Sequence, residues 1–442
     1  MLNKIRLSVP KNVVINSSNS VLLLRIFSVM VTYLITILLT NKIEITEVGE
    51  YYFVLNIFTV LPVILSLGIP TWIVREVGLI DDELGAYQLY RIGCISILVI
   101  LAFLFLVLIA LNLVLDSQMT FEYSFKWIHF FVIILGTFTM LNIEFLRAVN
   151  VIRSSEFGRN LIRPIVFVLL LLVSFLLSGN TDVIRLLCVS MIIQGLHSFY
   201  LIWKWKGKKI AKRKWEIDFK QALRPISSGI PYLIVFLVSF FSDKVSIIFL
   251  SIFSNFEEQA LFTIPLRLVM LTTFSTYAVI ITRSTSVSEM YNNGDILTLN
   301  RILHRDINRS VVIGLLIIIP MLCIPDVLLG FFGEEYTSAS EVLRILSFAY
   351  FFNLISGVAP MYLSMTGKLR ALNSILVVTA ILHLTMLYFW VPTMGAMGAA
   401  YGTLCSMFFS CLCGLGTVWY YDGILLIPGG EKRYVSRKSF EF

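Results

Sequence analysis

Charge is what this sequence has least of. Only 14% of its 442 residues are Asp, Glu, Lys or Arg, against 58% that are hydrophobic. A soluble domain carries about 25% charged residues, so a water-soluble globular protein is excluded and a membrane protein follows. Histidine (four residues) and cysteine (six) are scarce as well. Cys94, Cys188, Cys323, Cys405, Cys411 and Cys413 all lie in apolar runs without zinc-type spacing to histidine. They read as packing residues, neither a disulfide framework nor a metal site. His197, His304 and His383 are isolated and receive no ligand role. Runs that alternate polar with apolar residues are missing, which excludes a β-barrel. The opening "MLNKIRLSVPKNVVINSSNS" is polar and basic, and the apolar run after it has spanning length. A cleaved signal peptide is therefore not expected.

What is present is a series of apolar windows of about 20 residues, the length that crosses a bilayer as a helix. Twelve are expected, near 18–40, 50–70, 88–115, 124–146, 161–178, 182–203, 226–250, 259–282, 310–330, 342–364, 372–391 and 397–421. The fold class is all-α and polytopic, in two six-helix bundles. Of the 35 Lys and Arg, only Lys42, Lys126 and Arg344 fall in outer loops, and Arg25, Arg185, Lys244 and Arg267 fall within spans. The others gather on one side, which makes that side cytoplasmic and both termini N-in and C-in. This accounts for the net charge of +8 without nucleic acid. The outer loops "NKIEITEVGE", "SNFEEQ" and "FFGEEYTSASE" are short and acidic. The domain expectation is a first bundle at 1–203, a basic cytoplasmic linker at 204–225, a second bundle at 226–422 and a tail at 423–442. The linker, "KWKGKKIAKRKWEIDFKQALRP", reads as a topological anchor, with an anionic-lipid site as the alternative.

Shifting the chain by 210 residues lays "TEVGEYYFVLNIF" (46–58) over "FEEQALFTIPLRL" (256–268), with Glu47 over Glu257. Each half has a short acidic outer hairpin followed by a helix that opens on aromatic and aliphatic residues. Two such halves point to transport by rocking one against the other around a central cavity.

Charges inside spans cost roughly 2.5–3.5 kcal/mol each on insertion scales, so each needs a reason. Asp243 and Lys244 interrupt "SFFSDKVSIIFL", and Arg267 lies in the next span. Asp243 and Arg267 are both 12 residues from the hairpin tip at Asn255, so they sit at matching depth and can pair. Ser239, Asp243 and Ser246 follow one helix face as a narrow polar stripe. The pair could equally be structural glue, and Lys244 could snorkel to the outer interface. Arg25, near the cytoplasmic end of the first span, either snorkels to lipid phosphate or lines the inner mouth of the cavity. Glu144 and Arg147, three residues apart, can pair locally, and Arg185 reads as a snorkelling residue. Taken together, Arg25, Asp243, Lys244 and Arg267 give the cavity a surplus of two positive charges, which suits an anionic, phosphate-bearing substrate. Trp127, Trp203, Trp205 and Trp390 sit at span ends as an interfacial belt. Pro62, Pro70, Pro231, Pro265 and Pro320 are candidate kink sites.

Several segments in order resemble the polysaccharide (O-antigen, Wzx-type) flippases of the multidrug/oligosaccharidyl-lipid/polysaccharide (MOP) exporter superfamily. They are "EVGEYYFVLNIFTVLPVILSLGIPTWIVREV" (47–77), "SDKVSIIFLSIFSNFEEQALFTIPLRLV" (242–269), "FFGEEYTSASEVLRILS" (331–347), and "GKLRALN" (367–373) with "PTMGAMGAAYGT" (392–403). The second repeat departs from the first: Glu258-Gln259-Ala260-Leu261 stands where the first has Val48-Gly49-Glu50-Tyr51. The resemblance implies a MATE-like fold and a non-enzymatic flippase working by alternating access. Its implied substrate is undecaprenyl-diphosphate-linked oligosaccharide, moved from the cytoplasmic to the periplasmic leaflet of a bacterial inner membrane. Membrane lipids, a polysaccharide polymerase and chain-length proteins are the implied partners. No cofactor is implied, and coupling to a proton or sodium gradient is left open. Three other readings fit the sequence less well. A multidrug exporter would favour an acidic cavity. A major-facilitator transporter would carry a Gly/Asp/Arg loop signature that "REVGLIDDELGAYQLYR" lacks. A polymerase or ligase would need outer catalytic groups that the short outer loops do not hold.

Overall fold

The computed structural model describes residues 11–80, 82–114, 127–177, 182–209 and 219–429; side chains at 11–22, 107–114, 207–209, 219–223, 231, 234–243 and at 278, 281, 282, 284 and 285 lie outside the description. Every regular element among these residues is helical. In order they are α1 (Lys11–Thr40), α2 (Ile45–Leu65), α3 (Ile69–Val77), α4 (Glu83–Val114), α5 (Trp127–Ala148), α6 (Ile152–Asn160), α7 (Ile162–Leu177) and α8 (Val183–Lys209). Then follow α9 (Phe219–Phe253), α10 (Phe256–Met270), α11 (Thr273–Asn292), α12 (Ile296–Cys323), α13 (Pro325–Gly330), a 3-10 turn (Glu334–Ala339), α14 (Ser340–Ser356), α15 (Ala359–Met365) and α16 (Leu369–Asp422).

These elements make twelve rods, as the apolar windows predict. Pairs α2–α3, α6–α7, α10–α11 and α14–α15 are each one rod broken near its middle or end. Conversely, α16 is two rods joined at Gly395, whose φ of 53° and ψ of −129° turn the chain back on itself. The helix α8 runs on to Lys209 and α9 begins at Phe219, so parts of the basic stretch 204–225 are helical.

The chain packs as two compact units. One holds the described residues up to Leu38 together with Val54–Leu237; the other holds Leu39–Phe53 with the chain from Val238 onward. The core of the first unit joins α3, α4, α5 and α8 through Ile69, Ile73, Ile97, Leu141, Phe145 and Ile202. That of the second joins α12, α14, α15 and α16 through Leu303, Ile307, Leu354, Tyr362 and Val418. Outward faces are apolar too: on α1, Leu23, Phe27, Met30, Leu34 and Ile37 are exposed at helical spacing while Ile35 and Leu39 are buried. Lipid rather than water is the solvent such a stripe fits.

Lipid offers helices no hydrophobic gain for meeting one another, so close backbone packing carries the association. Each unit shows such a crossing among its described residues. In the first, a Cβ on Gly68 would sit 2.3 Å from the Gly229 carbonyl oxygen, and one on Gly229 would sit 2.3 Å from that of Leu67. In the second, a Cβ on Gly49 would lie 1.9 Å from the Phe256 carbonyl oxygen. Gly49 thus opens one repeat helix, α2, against the other, α10, and no matching glycine is needed on α10.

The tryptophans divide. Trp127 and Trp203 are exposed, as a belt requires, but Trp205 is buried. Ser198, Ile202 and Trp205 share the inward face of α8, and the Trp205 ring meets Phe145 edge-on at 5.1 Å. Its place at a span end therefore does not make it interfacial. Arg185, at the start of α8, forms an exposed ion pair with Asp182 at 2.7 Å. All six cysteines are free thiols.

Candidate functional site

The first unit contains a cavity of about 390 Å³ whose lining includes Thr59, Thr139, Glu144, Arg159, Arg163, Gln194 and Tyr232. Two arginines face one glutamate there, so the lining is cationic. The local sequence explains how they arrive. Pro164 has no N–H for the carbonyl of Asn160, four residues back. The rod breaks between α6 and α7, and the Ser28 hydroxyl donates to the freed Asn160 oxygen at 2.7 Å. The Gln194 amide donates to the carbonyls of Gly158 (2.8 Å) and Arg159 (3.1 Å), which the helix end would otherwise leave unpaired. The break so stabilised puts Arg159 at the end of α6 and Arg163 at the start of α7, both on the cavity.

Glu144 organises the charges. Its carboxylate pairs with Arg159 across the site and with Arg147 one turn on, at 3.7 Å. The local Glu144–Arg147 pair is the one its spacing predicts; Arg159 is a partner that spacing does not reveal. A similar pair stands beside it: Arg25 Nη2 lies 3.3 Å from Glu156 Oε2, and the Asn160 amide donates to that same oxygen at 2.9 Å. Glu156 is almost fully buried. Arg25 is thus anchored to α6, and its charge is matched by a carboxylate that the count of cavity charges left out.

The second unit holds its candidate residues differently. The Arg267 guanidinium lies over the Tyr52 ring, 4.3 Å from the centroid, a cation–π contact. Gln259 and Thr263, buried on the same face of α10, precede it by two turns and one. The side chains of Asp243 and Ser239 lie outside the described residues, and with them the expected Asp243–Arg267 pair. Lys244 is half-buried. Ser246 Oγ is buried 3.2 Å from His383 Nε2, a contact between α9 and α16. Glu258 Oε2 accepts from the Ala396 backbone N–H at 2.7 Å and so caps the second limb of α16 at Gly395. Among the described residues no cluster of histidine, cysteine or carboxylates is arranged to hold a metal ion.

The model of the family described as "Polysaccharide biosynthesis protein" matches residues 15–286. Among curated proteins, the uncharacterized membrane protein MJ1068 of Methanocaldococcus jannaschii is 22% identical over 436 residues, covering 92% of this chain and 83% of that one. Among solved structures, the lipid II flippase MurJ in an inward closed conformation superposes with a TM-score of 0.69 at 14% identity, over 91% of this chain and 87% of that chain. A multidrug resistance MATE family transporter of the MOP superfamily, inward-facing, gives 0.60 at 15% identity, over 86% and 91%. A MOP superfamily transporter from Pyrococcus furiosus, whose binding pocket is described as of reverse polarity with a different function suggested for it, gives 0.54 at 16%, over 90% and 94%. These likenesses show the fold, which is that of the MOP superfamily, with twelve helices.

Proposed function

We propose, because this chain belongs to the polysaccharide biosynthesis protein family, that it is a flippase for lipid-linked oligosaccharide. Its substrate is an undecaprenyl-diphosphate-linked repeat unit, carried from the cytoplasmic to the periplasmic leaflet of a bacterial inner membrane by alternating access. The observation that carries the reading is the cavity with Arg159 and Arg163 against the single Glu144. Guanidinium groups meet phosphate oxygens through paired N–H donors and keep their charge at every physiological pH. In a site shielded from water that attraction is several times stronger than at the surface. The cytoplasmic half of the first unit, where α5 ends and α6 and α7 meet, is also where a substrate made in the cytoplasm arrives. Glu144 holds Arg159 in place until an anion competes for it.

Reconstitution tests this directly. The purified chain in proteoliposomes is given a fluorescent undecaprenyl-diphosphate-linked oligosaccharide, and a membrane-impermeant reductant quenches the outer leaflet. Flipping predicts quenching well past the half expected of protein-free vesicles. Quenching that stops at half, with accumulation of a lipophilic organic cation instead, would replace this reading with drug export.

A further inference from the structure

Outside the cavity, α1, α6 and α8 enclose an open groove of about 620 Å³, lined by Leu23, Phe27, Arg153, Phe157, His197 and Leu201 among others. We propose that this groove seats the isoprenoid tail of a polyprenyl-diphosphate lipid, with the phosphates at its Arg153 rim. The proposal rests on the flippase reading only for the choice of lipid.

Three observations carry it. The first is the distribution of polarity along the groove. By the N-in topology, Leu23, Arg153 and Leu201 lie at its cytoplasmic end, and Phe27, Phe157 and His197 lie one turn deeper. The deep part is apolar and aromatic, and the shallow part carries the cation. That order matches a lipid whose phosphate lies at the interface and whose chain runs toward the bilayer centre. The volume falls within the range of about 300–1,000 Å³ typical of ligand pockets, enough to hold the first isoprene units of a long chain while the rest remains in lipid.

The second is charge complementarity at the rim. Arg153 is exposed there, and Lys204 follows Leu201 by one turn on α8, its ammonium over the Tyr200 ring at 6.0 Å. Arg25, paired with Glu156, adjoins Leu24 on the same edge.

The third observation distinguishes the substrate's lipid from an ordinary phospholipid. Around α6, positions 153, 157 and 160 share one face, 156 lies about 60° from 153 and 159 about 120° from it on the same side. The groove and the cationic cavity are therefore lined by different faces of one short helix, with the Glu156 contacts to Arg25 and Asn160 between them. A lipid seated by its tail in the groove has its diphosphate within two helix faces of Arg159. A diphosphate has a second phosphate to extend toward that charge, and a phospholipid's single phosphodiester has none.

Photolabelling reads tail binding without requiring transport. The full chain in phosphatidylcholine nanodiscs is irradiated with a diazirine-bearing geranylgeranyl diphosphate, and adducts are located by peptide mass spectrometry. Adducts are expected on residues 23–27 of α1 and around Phe157 and Leu201. Undecaprenyl phosphate should suppress them, and phosphatidylglycerol at equal loading should not. Arg153→Gln should lower labelling by roughly tenfold, as loss of one charge-assisted contact does, with Arg153→Lys restoring most of it. The corresponding prenyl alcohol probe should label Arg153→Gln and the unaltered chain alike, which also shows that the variant is folded. Adducts confined to other helices would overturn the proposal, and so would equal suppression by phosphatidylglycerol. If the groove labels but no lipid is flipped, the flippase reading fails and the groove stands. Flipping without groove labelling removes the groove alone.

Discussion

Arg159 in the first unit and Arg267 in the second are held by different chemistry. Glu144, a carboxylate, holds Arg159, and the ring of Tyr52 supports Arg267. An ion pair shielded from water binds firmly but leaves a costly orphan charge when either partner goes. A ring offers a weaker and less directional hold, worth about 0.5–2 kcal/mol. The first arrangement suits a site where an incoming anion displaces a resident carboxylate. The second holds a guanidinium against an aromatic face.

The crossings that bring these residues to their places should give the largest effects when altered. Gly68→Val is expected to cost more than about 4 kcal/mol, because it adds a side chain against the Gly229 backbone at a φ of 73°. Gly49→Val should be comparably severe through its clash with Phe256. Fluorescence-detected gel filtration would show both as loss of the monodisperse folded species. A normal profile for either would mean that these backbones do not approach so closely.

Glu144→Gln should destabilise the chain by about 2–3 kcal/mol, below the full cost of a buried pair because Arg159 is about one-third exposed (35%). Tyr52→Leu should cost only about 1 kcal/mol. Thermal unfolding in detergent ranks the two, and equal shifts would erase the distinction between carboxylate and ring. Smallest of all, Arg185→Gln should change stability by less than about 0.5 kcal/mol, since its pair with Asp182 is exposed.

Most of the architecture was legible because length and apolarity determine where a helix can cross lipid, and loop charge sets its direction. Breaks within rods were less so. Pro70 stands at the start of α3, where a rod breaks, whereas Pro62, Pro265 and Pro320 lie inside helices that run on past them. The break at Leu271–Thr272 has neither proline nor glycine; there the Thr272 and Thr273 hydroxyls bond back to the carbonyls of Val269 and Met270. Such local competition for backbone acceptors depends on rotamers that composition does not reveal. Within the site, Arg25 stood out as a charge in a span, but its partner Glu156 is 131 residues away and is chosen by packing. In sequence, Arg159 and Arg163 belong to the basic residues gathered on the cytoplasmic side, and nothing in that count marks them as lining a cavity. The signal that could have separated them is "GRNLIRP", where Pro164 frees the Asn160 carbonyl and breaks the helix between the two arginines.

The central claim is that the Arg159–Arg163 cavity handles the diphosphate of a lipid-linked sugar. Its most direct test is the initial rate of leaflet transfer of the fluorescent lipid-linked oligosaccharide in proteoliposomes, for the unaltered chain and for Arg159→Gln combined with Arg163→Gln. The account predicts a fall of roughly a hundredfold, as two lost charge-assisted contacts imply, with the variant still monodisperse. An unchanged rate in a folded double variant would contradict it.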